Sequence, residues 1–584
     1  MLHNITYEIV PQADKHRFRV TMRFRAQNGE CVLWLPAWVQ GSYMRRDLAG
    51  YASRFGVEQK GRHLSWSKKD LNSFSFRTQE GEVSVSYEIY AFDPSVRLAY
   101  LDDRRGFFNP SSLLMALEGA EKEPVRIKLS FERPQEGWKT ASPLEKNEEG
   151  YYQARDIAEA YDSPFEMGTF KEIFFEACGR RHHIVFSGEI SGLNPKQLAD
   201  IAYDAKQIAS TEIAFFSPEE HKAPFGSYLT IVFLGKNLFG GLEHRSSSVL
   251  TYDGGGIVTG SGTYEDFLEL FAHEYFHAWW VKTVRPACYA GLSVKKVIPT
   301  RLLWVFEGFT SYYEIKMLFK AGIISREKFF DKLSSLLTDE MRSSARLYES
   351  LENSSLEAWI KYYRPDGNRP NSVVNYYGYG ALIGFALDAA IREKTGDVFS
   401  LDDVLRKAYK DALSPDYGGV PENGMEEIIR LAVHADMSQE IDAWVRKCVL
   451  PDFQKLGSFF HVSLQKEPAE ASLAEFGIRA AFPGGRLVVK SVFDGSYAQD
   501  LGLAEGDEIL SVNGERFSQT EHGGPEMGST AQLRNAADQF IAGFTGQALA
   551  VDIRRFGEKR SLTGSRIFEP AGTTYRFVLQ ERAS

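Results

Sequence analysis

Residues 273–277 read His273-Glu-Tyr-Phe-His277, within a segment of helical apolar period that runs from Tyr264 to Lys282. Residues four apart lie one turn apart on the same side of a helix, so His273 and His277 can direct two imidazoles at one ion. Glu274 then falls beside the open coordination position, where a carboxylate can act as a base. The pattern therefore predicts a catalytic zinc site.

The neighbours of this motif strengthen the prediction. Apolar and aromatic residues would bury the helix, namely Phe267, Leu270, Phe271, Tyr275 and Phe276. Buried imidazoles beside a carboxylate are costly unless something such as a metal satisfies them. Thr263 and Asp266 form an approximate capping box, which predicts a helix start there.

A catalytic zinc site has three protein ligands, so one more must lie elsewhere in the chain. The candidate is Glu307, an acid in the aromatic segment Trp304-Val-Phe-Glu-Gly-Phe-Thr-Ser-Tyr-Tyr-Glu314. Burying this carboxylate unpaired is unfavourable, and a cation would stabilise it. Glu314, seven residues later, is the competing ligand.

The apolar pattern divides the chain into three predicted domains. Residues 1–180 alternate with period two, as in Phe18, Val20, Met22 and Phe24, which predicts a β-rich domain. Residues 181–455 change to an α+β catalytic core. Its predicted elements are the strand Tyr228–Leu234 and, besides the helix from Tyr264 to Lys282, the helices Trp304–Lys320, Ala381–Lys394 and Met425–Val445.

Residues 456–584 return to short strands, followed by a predicted helix from Thr530 to Ala542. With the run Gly502-Leu-Ala-Glu-Gly-Asp-Glu-Ile-Leu-Ser-Val-Asn-Gly514, this order of elements resembles a PDZ domain, whose sheet edge accepts a peptide as an added strand. Phe476-Gly477-Ile478 is the candidate carboxylate-binding loop and edge strand. The resemblance implies a partner peptide C-terminus, and a groove filled by the chain itself is the alternative.

Composition excludes several function classes. Of 584 residues, 43% are apolar and 13% aromatic, which indicates a folded multi-domain protein. Lys plus Arg is 68 and Asp plus Glu is 78, and the absence of a basic stripe argues against a nucleic-acid partner. Four scattered cysteines without a CxxC pair indicate a reducing compartment. The N-terminus has no signal pattern and no apolar run could span a bilayer, so we expect a cytoplasmic protein without a membrane partner.

The motif with Glu307-Gly-Phe-Thr resembles the gluzincin metallopeptidases, in which two His and a distant Glu hold zinc. More narrowly, the order of motifs resembles the glycyl aminopeptidase family with a C-terminal PDZ domain. The runs that carry this resemblance are Gly240-Gly-Leu-Glu-His-Arg-Ser-Ser-Ser248, His273-Glu-Tyr-Phe-His-Ala-Trp-Trp-Val-Lys282, Arg285-Pro286 and Leu303-Trp-Val-Phe-Glu-Gly-Phe-Thr-Ser-Tyr-Tyr313. The family implies a thermolysin-like, mostly helical catalytic domain that removes small N-terminal residues, such as Gly or Ala, from peptides.

The resemblance also implies roles for individual residues. His273, His277 and Glu307 would ligate one Zn²⁺ per chain. Glu274 would deprotonate the zinc-bound water and pass the proton to the leaving amine.

Glu243 follows Gly240-Gly241-Leu242 and is the expected substrate-binding residue of this loop. In related zinc aminopeptidases an acid at this position binds the free α-amino group of the substrate, and Gly240 and Gly241 would line the same subsite. Leu242 and His244 replace the Met and Asn of that related loop. An ordinary carboxylate at a strand edge is the alternative for Glu243.

The segment Asn375-Tyr-Tyr-Gly-Tyr-Gly380 resembles the Tyr-x-x-Gly element of related aminopeptidases. Alignment on Gly380 selects Tyr377, whose phenol would donate to the oxyanion of the tetrahedral intermediate. Tyr376 and Tyr379 are its rivals.

Two other functions remain open at this level. A zinc endopeptidase would use the same chemistry, but Glu243 as an amine receptor would block long N-terminal extensions. A catalytically silent PDZ adaptor predicts a broken ligand or base position, whereas Glu274 and the three ligand candidates are present.

Overall fold

The structure, a computed structural model, describes residues 3–131, 137–257, 261–291, 294–517 and 530–580. The chain forms two compact units. The first contains Met1–Thr300, Lys320–Ile323 and Leu405–Met425, and the second contains Arg301–Phe319, Ile324–Val404 and Glu426–Ser584.

Strands dominate the first unit up to residue 188, as the period-two pattern predicts. They are β1 (Ile5–Gln12), β2 (Arg17–Ala26), β3 (Gly29–Trp34), β4 (Ala52–Gln59), β5 (Arg62–His63), β6 (Trp66–Lys68), β7 (Ser73–Thr78), β8 (Gly81–Tyr90), β9 (Ala99–Leu101), β10 (Arg105–Phe108), β11 (Ala116–Leu117), β12 (Val125–Leu129), β13 (Lys139–Ala141), β14 (Tyr152–Ala154), β15 (Phe165–Gly168), β16 (Lys171–Ala177) and β17 (Arg180–Gly188). The largest sheet has the order β14-β12-β1-β2-β8-β4-β5. On β2, Phe18, Val20, Met22 and Phe24 are buried and the residues between them are not, which confirms the predicted alternation.

A second, five-stranded sheet of this unit has the order β16-β17-β18-β20-β19. Its later strands are β18 (Ser227–Leu234), β19 (Phe239–Glu243) and β20 (Ser247–Tyr252). The helices of the unit before residue 300 are α1 (Pro110–Leu113), α2 (Ile157–Tyr161), α3 (Pro195–Phe216) and α4 (Gly262–Phe276). Helix α4 packs on β19 and β20, and also on α3. In the described part of the chain, no helix is both long and apolar enough to cross a membrane.

Helix α4 differs from its prediction at both ends. It begins two residues earlier than Tyr264, because the side chain of Ser261, rather than Thr263, accepts the capping hydrogen bond from the Tyr264 amide. It ends at Phe276 instead of Lys282. His277 caps the helix, so the second His of the motif lies at the helix end.

Helices dominate the second unit between residues 301 and 457. They are α5 (Phe309–Lys320), α6 (Arg326–Arg342), α7 (Leu351–Leu356), α8 (Arg369–Ser372), α9 (Gly378–Thr395), α10 (Leu401–Ala412, which continues into the first unit), α11 (Met425–Val433), α12 (Ser438–Ile441) and α13 (Phe453–Gly457). The single helix predicted over 425–445 is wrong. His434 adopts a left-handed φ of +55°, which ends α11, and the Asp436 side chain then accepts a hydrogen bond from the amide of Ser438.

The C-terminal part of this unit is a strand-rich fold with its own apolar core. Its elements are β21 (Val462–Pro468), α14 (Leu473–Phe476), β22 (Ile478–Ala481), β23 (Val488–Val492), α15 (Tyr497–Leu501), β24 (Glu508–Val512), α16 (Thr530–Ala542), β25 (Ala548–Arg555), β26 (Glu558–Ile567) and β27 (Thr573–Leu579). Strand β22 stands at the edge of the sheet β22-β23-β24-β25-β26, and α16 confirms the helix predicted over 530–542.

Two glycines meet within the second unit. Gly308 closes a π-helical turn over Trp304–Gly308, and a Cβ built on it would lie 2.6 Å from the Cα of Gly380 on α9. The same Cβ would lie 2.8 Å from the carbonyl oxygen of Tyr376. Since these neighbours are backbone atoms, a side chain at residue 308 would force the two segments apart.

We expect Gly308→Ala to lower the free energy of unfolding by about 1–3 kcal/mol, because overpacked backbone contacts cannot relax by a rotamer change. Urea denaturation checks this. Gly192→Ala is the matched control, since no heavy atom lies within 4 Å of a Cβ there. Equal stability of the two variants would contradict the close glycine contact.

Candidate active site

The residues of the His-Glu-x-x-His motif are buried at the C-terminal end of α4. His273, Glu274 and His277 are 8%, 5% and 1% exposed. The two imidazole centroids lie 4.7 Å apart with an interplanar angle of 87°. The predicted helical spacing therefore brings both rings together on one side.

The turn after α4 fixes the orientation of His277. Its Nδ1 lies 2.8 Å from the carbonyl oxygen of Trp280, a geometry in which an N–H at Nδ1 donates to that carbonyl. This hydrogen bond selects the tautomer whose Nε2 carries the lone pair, as metal-ligating histidines require.

Glu274 reaches the edge strand β19 through the space left by Gly241. A Cβ built on Gly241 would lie 1.9 Å from Oε1 of Glu274. Position 241 must therefore be glycine for the carboxylate to keep its place. Around Gly240 there is more room, since the nearest heavy atom to a Cβ would be 3.6 Å away.

Glu243 ends β19 opposite Ser248 of β20 and is 4% exposed. A Cβ built on Gly41, which has a left-handed φ of +88°, would lie 2.3 Å from its Oε2. The ligand-type atoms of Glu243, Glu274 and His277 all lie within 4.8 Å of one another. Glu243 is therefore a buried acid beside the motif rather than an ordinary carboxylate at a strand edge.

A charged network fixes the loop that follows Glu243. Asp162 accepts from Nδ1 of His244 at 3.1 Å, from Nζ of Lys282 at 2.9 Å and from the backbone amide of Arg245 at 2.9 Å. Burial would raise the pKa of Asp162, but the Lys282 and His244 charges and hydrogen bonds hold it well below its usual range. The network ties the β19–β20 turn to the turn after α4.

The backbone turn that presents Lys282 is strained. Val281 has a φ of +109°, which is rare for a β-branched residue. Its amide donates to the carbonyl oxygen of Val284 at 2.8 Å, and the Val284 amide donates to the carbonyl oxygen of Trp279 at 2.8 Å. These bonds hold the strained turn against α4.

Glu307 lies in the π-helical turn of the second unit and is 2% exposed. Such turns are frequent at functional sites. The charge of Glu307 contributes to the raised pKa of Tyr376, although burial is the largest cause. The contact between Gly308 and Gly380 explains why these residues are neighbours. Glu314, the competing ligand, is half-buried on α5.

The three candidate tyrosines differ in exposure. Tyr376 and Tyr379 are 0% and 5% exposed, whereas Tyr377 is half-buried. The hydroxyl of Tyr377 lies 3.0 Å from that of Tyr363. The amide of Tyr377 donates to the side chain of Asn375 at 3.2 Å, which fixes the start of α9.

At the predicted peptide groove of the C-terminal part, Gly477 has a left-handed φ of +104° between α14 and the edge strand β22. The amide of Leu473 donates to Asp538 of α16 at 2.8 Å, which joins this loop to the helix. Phe476-Gly477-Ile478 therefore form the turn from α14 into the edge strand β22.

Residues 6–169 match the family model "Peptidase M61 N-terminal domain", residues 266–383 match "M61 glycyl aminopeptidase" and residues 464–524 match "PDZ domain". The chain carries the domains of an M61 peptidase. It is therefore a metallopeptidase of the aminopeptidase type with a C-terminal PDZ domain. These matches confirm the family and the three-part fold predicted from the sequence.

One solved structure resembles this M61 peptidase along nearly its whole length. An aminopeptidase N family protein from Idiomarina loihiensis is 27% identical, with a TM-score of 0.88 over 99% of this chain and 98% of that chain. Native yeast LTA4 hydrolase is 14% identical, with a TM-score of 0.44 over 77% of this chain and 68% of that chain. No curated protein sequence matches the chain.

Sequence reasoning missed two features of this M61 peptidase. One is Asp162, which lies in the N-terminal matched region and has no motif around it. The other is Glu212 of α3, which is 0% exposed. Burial raises its pKa well above the usual value, and the charge of His273 opposes this. The sequence does contain a signal for Glu212: it is an acid on the same helix face as the apolar residues Ile208, Ala209 and Ile213, which are buried.

We expect Asp162→Asn to lower the free energy of unfolding at pH 7 by about 2–4 kcal/mol, since it leaves a buried Lys282 without its counter-charge. Urea denaturation measures this. Asp47→Asn is the control, because Asp47 is 65% exposed in its pair with Arg45. Asp47→Asn should change the free energy of unfolding by less than about 1 kcal/mol.

The pH dependence gives a second readout of the same variant. A carboxyl whose folded pKa is depressed contributes stability above its unfolded pKa of about 3.9 and loses it as the pH falls. The difference in the free energy of unfolding between the wild type and Asp162→Asn should therefore stay constant from about pH 8 to 5 and shrink below about pH 4. A difference that grows on acidification would contradict the assigned charge state.

Proposed function

We propose that this protein is a zinc-dependent aminopeptidase that removes N-terminal residues from peptides. The observation that carries the proposal is the buried acid Glu243 within 4.8 Å of Glu274 and His277. An acid placed beside a catalytic base can hold the ammonium group of a peptide next to its first amide bond. This arrangement supports an exopeptidase rather than an endopeptidase.

The zinc ligands in this proposal are His273, His277 and Glu307. All three are buried. Two imidazoles and one carboxylate are a common donor set of catalytic zinc. When bound, zinc would polarise the scissile carbonyl and lower the pKa of water.

Glu274 is the general base of the proposal. Its carboxylate takes a proton from the attacking water and delivers it to the nitrogen of the leaving amine. Gly241 supports this role because the missing side chain lets the carboxylate stand against the strand. Burial keeps bulk water from competing for the proton.

Glu243 is the receptor of the α-ammonium group. A buried carboxylate forms a strong, charge-assisted hydrogen bond with an ammonium ion. Gly41 supports this role, because any side chain at that position would displace the carboxylate. A substrate whose amine is acylated loses this interaction and meets a buried, unpaired acid.

Tyr377 is the proposed donor to the oxygen of the tetrahedral intermediate. Its partial exposure supports it over Tyr376 and Tyr379, which are both buried. The PDZ domain is proposed to bind a peptide C-terminus at β22, and the family implies a preference for small N-terminal residues such as Gly and Ala.

We expect the purified protein to hydrolyse glycyl- and alanyl-arylamides and to contain about one zinc per chain. Glu274→Gln should lower kcat by about 10²- to 10⁴-fold, because the general base is lost, while zinc content stays the same. Arylamide hydrolysis and elemental analysis provide the two measurements. Glu314→Gln is the matched control, which should keep both zinc and activity.

The rival functions give other outcomes. Cleavage of an N-acetylated peptide without cleavage of either arylamide would replace the aminopeptidase by an endopeptidase. Absence of both zinc and cleavage would leave a peptide-binding adaptor.

For Tyr377→Phe we expect kcat to fall by about 10²- to 10³-fold with little change in KM, since the phenol acts on the transition state. Steady-state kinetics on the alanyl-arylamide measure both constants. Tyr379→Phe is the control. A larger loss in Tyr376→Phe than in Tyr377→Phe would reassign the donor.

A further inference from the structure

A cavity of about 360 Å³ lies in the first unit, with Glu243 and Gly41 in its wall. Pockets for small ligands occupy roughly 300–1,000 Å³, and one water takes about 30 Å³. The cavity is therefore much larger than the hydrogen or methyl group of an N-terminal Gly or Ala would need. Its walls indicate what else it can hold.

One wall of the cavity is aromatic. Trp38, Tyr43 and Tyr289 line it. The ring centroids of Trp38 and Tyr289 lie 5.6 Å apart, and Tyr43 stacks on Tyr289 at 6.4 Å. Flat rings of this kind pack against the methylene groups of a side chain.

A second wall carries the guanidinium of Arg285. In the described part of the chain no carboxylate lies within ion-pair distance of it. The guanidinium donates a long hydrogen bond of 3.4 Å to the carbonyl oxygen of Thr283, and it lies over the ring of Tyr417 at 5.5 Å. Lys282 in the same wall, by contrast, is neutralised by Asp162.

Among the residues that the structure describes, most of the hydrogen-bonding capacity of the Arg285 guanidinium is thus unused. A guanidinium has five N–H donors in a planar fork that matches a carboxylate. The cavity wall also contains the exposed cations Lys122, Arg155 and Arg245 and the acids Glu121, Asp156 and Glu159, of which Glu159 pairs with Arg155. A substrate carboxylate would complement Arg285, which has no such pair among the described residues.

We propose that Arg285 binds the side-chain carboxylate of an N-terminal Glu or Asp, while Glu243 binds the ammonium group of the same residue. Such a residue carries one charge of each sign, and the cavity wall contains both Glu243 and Arg285. The methylene groups would pack on Tyr289 and its neighbours. The inference rests on the proposed function, and it extends the substrate class from small to acidic N-terminal residues.

The test compares kcat/KM of the wild type for Gly-, Ala-, Gln- and Glu-arylamides. Gln and Glu have nearly the same shape, so their ratio isolates the charge. We expect Glu-arylamide to be hydrolysed at least about tenfold more efficiently than Gln-arylamide. A ratio near one, with Gly-arylamide still cleaved, overturns this inference alone. Absence of cleavage of all four arylamides overturns the proposed function and this inference with it.

Arg285→Gln should lower kcat/KM for Glu-arylamide by about 10- to 100-fold and leave Gly-arylamide within about twofold. Arg285→Lys, which keeps the charge but not the fork, should restore part of the loss. Equal losses for Glu- and Gly-arylamide would assign Arg285 a structural role and overturn the inference.

The C-terminal carboxylate of a short peptide is the other source of the same chemistry. In that case Arg285→Gln would weaken hydrolysis of triglycine relative to triglycine amide, and the Glu to Gln ratio of the arylamides would stay near one. That result would overturn the side-chain assignment.

Discussion

The active site depends on how closely α4 packs against the edge strand β19. Because residue 241 is a glycine, the carboxylate of Glu274 can lie against this strand; a Cβ at this position would collide with it. Gly41, which lies in the region that matches the N-terminal family model, likewise leaves space for the carboxylate of Glu243. Two buried acids can therefore stand near one another and near His277. Under the proposed function, a metal ion and the ammonium group of a substrate would offset the repulsion between these two acids.

The charges around Asp162 compensate for the cost of burying its carboxylate. Asp162 is stabilised by Lys282, by His244 and by a backbone amide, so every oxygen of this carboxylate has a donor. The strain at Val281 is part of the same arrangement, because the turn must reverse sharply to return Lys282 toward the N-terminal matched region. A network in which both oxygens of Asp162 are paired thus borders the cavity, while Arg285 in the same cavity has no acidic partner among the described residues. This contrast distinguishes a structural cation from one suited to a ligand.

Local spacing made the motif and the strand alternation predictable. His273, Glu274 and His277 are fixed by one helical turn, and the family resemblance pointed to Glu243 and Tyr377. Contacts between distant segments were not predictable in the same way. Asp162 is 82 residues from His244 and 120 from Lys282, so no local period reveals it. The end of α4 also differs from its prediction, because the apolar pattern continues beyond Phe276 through a turn held by backbone hydrogen bonds.

The glycine contact in the second unit shows why two separate motifs occur together. Gly308 follows Glu307, and Gly380 follows Tyr377 by three residues. Because the backbones meet at Gly308 and Gly380, the π-helical turn and the start of α9 approach to a distance that side chains would forbid. Glu307 and Tyr377 are then held by one rigid crossing rather than by two independent loops. A side chain at either glycine would therefore displace a proposed ligand and a proposed oxyanion donor at once.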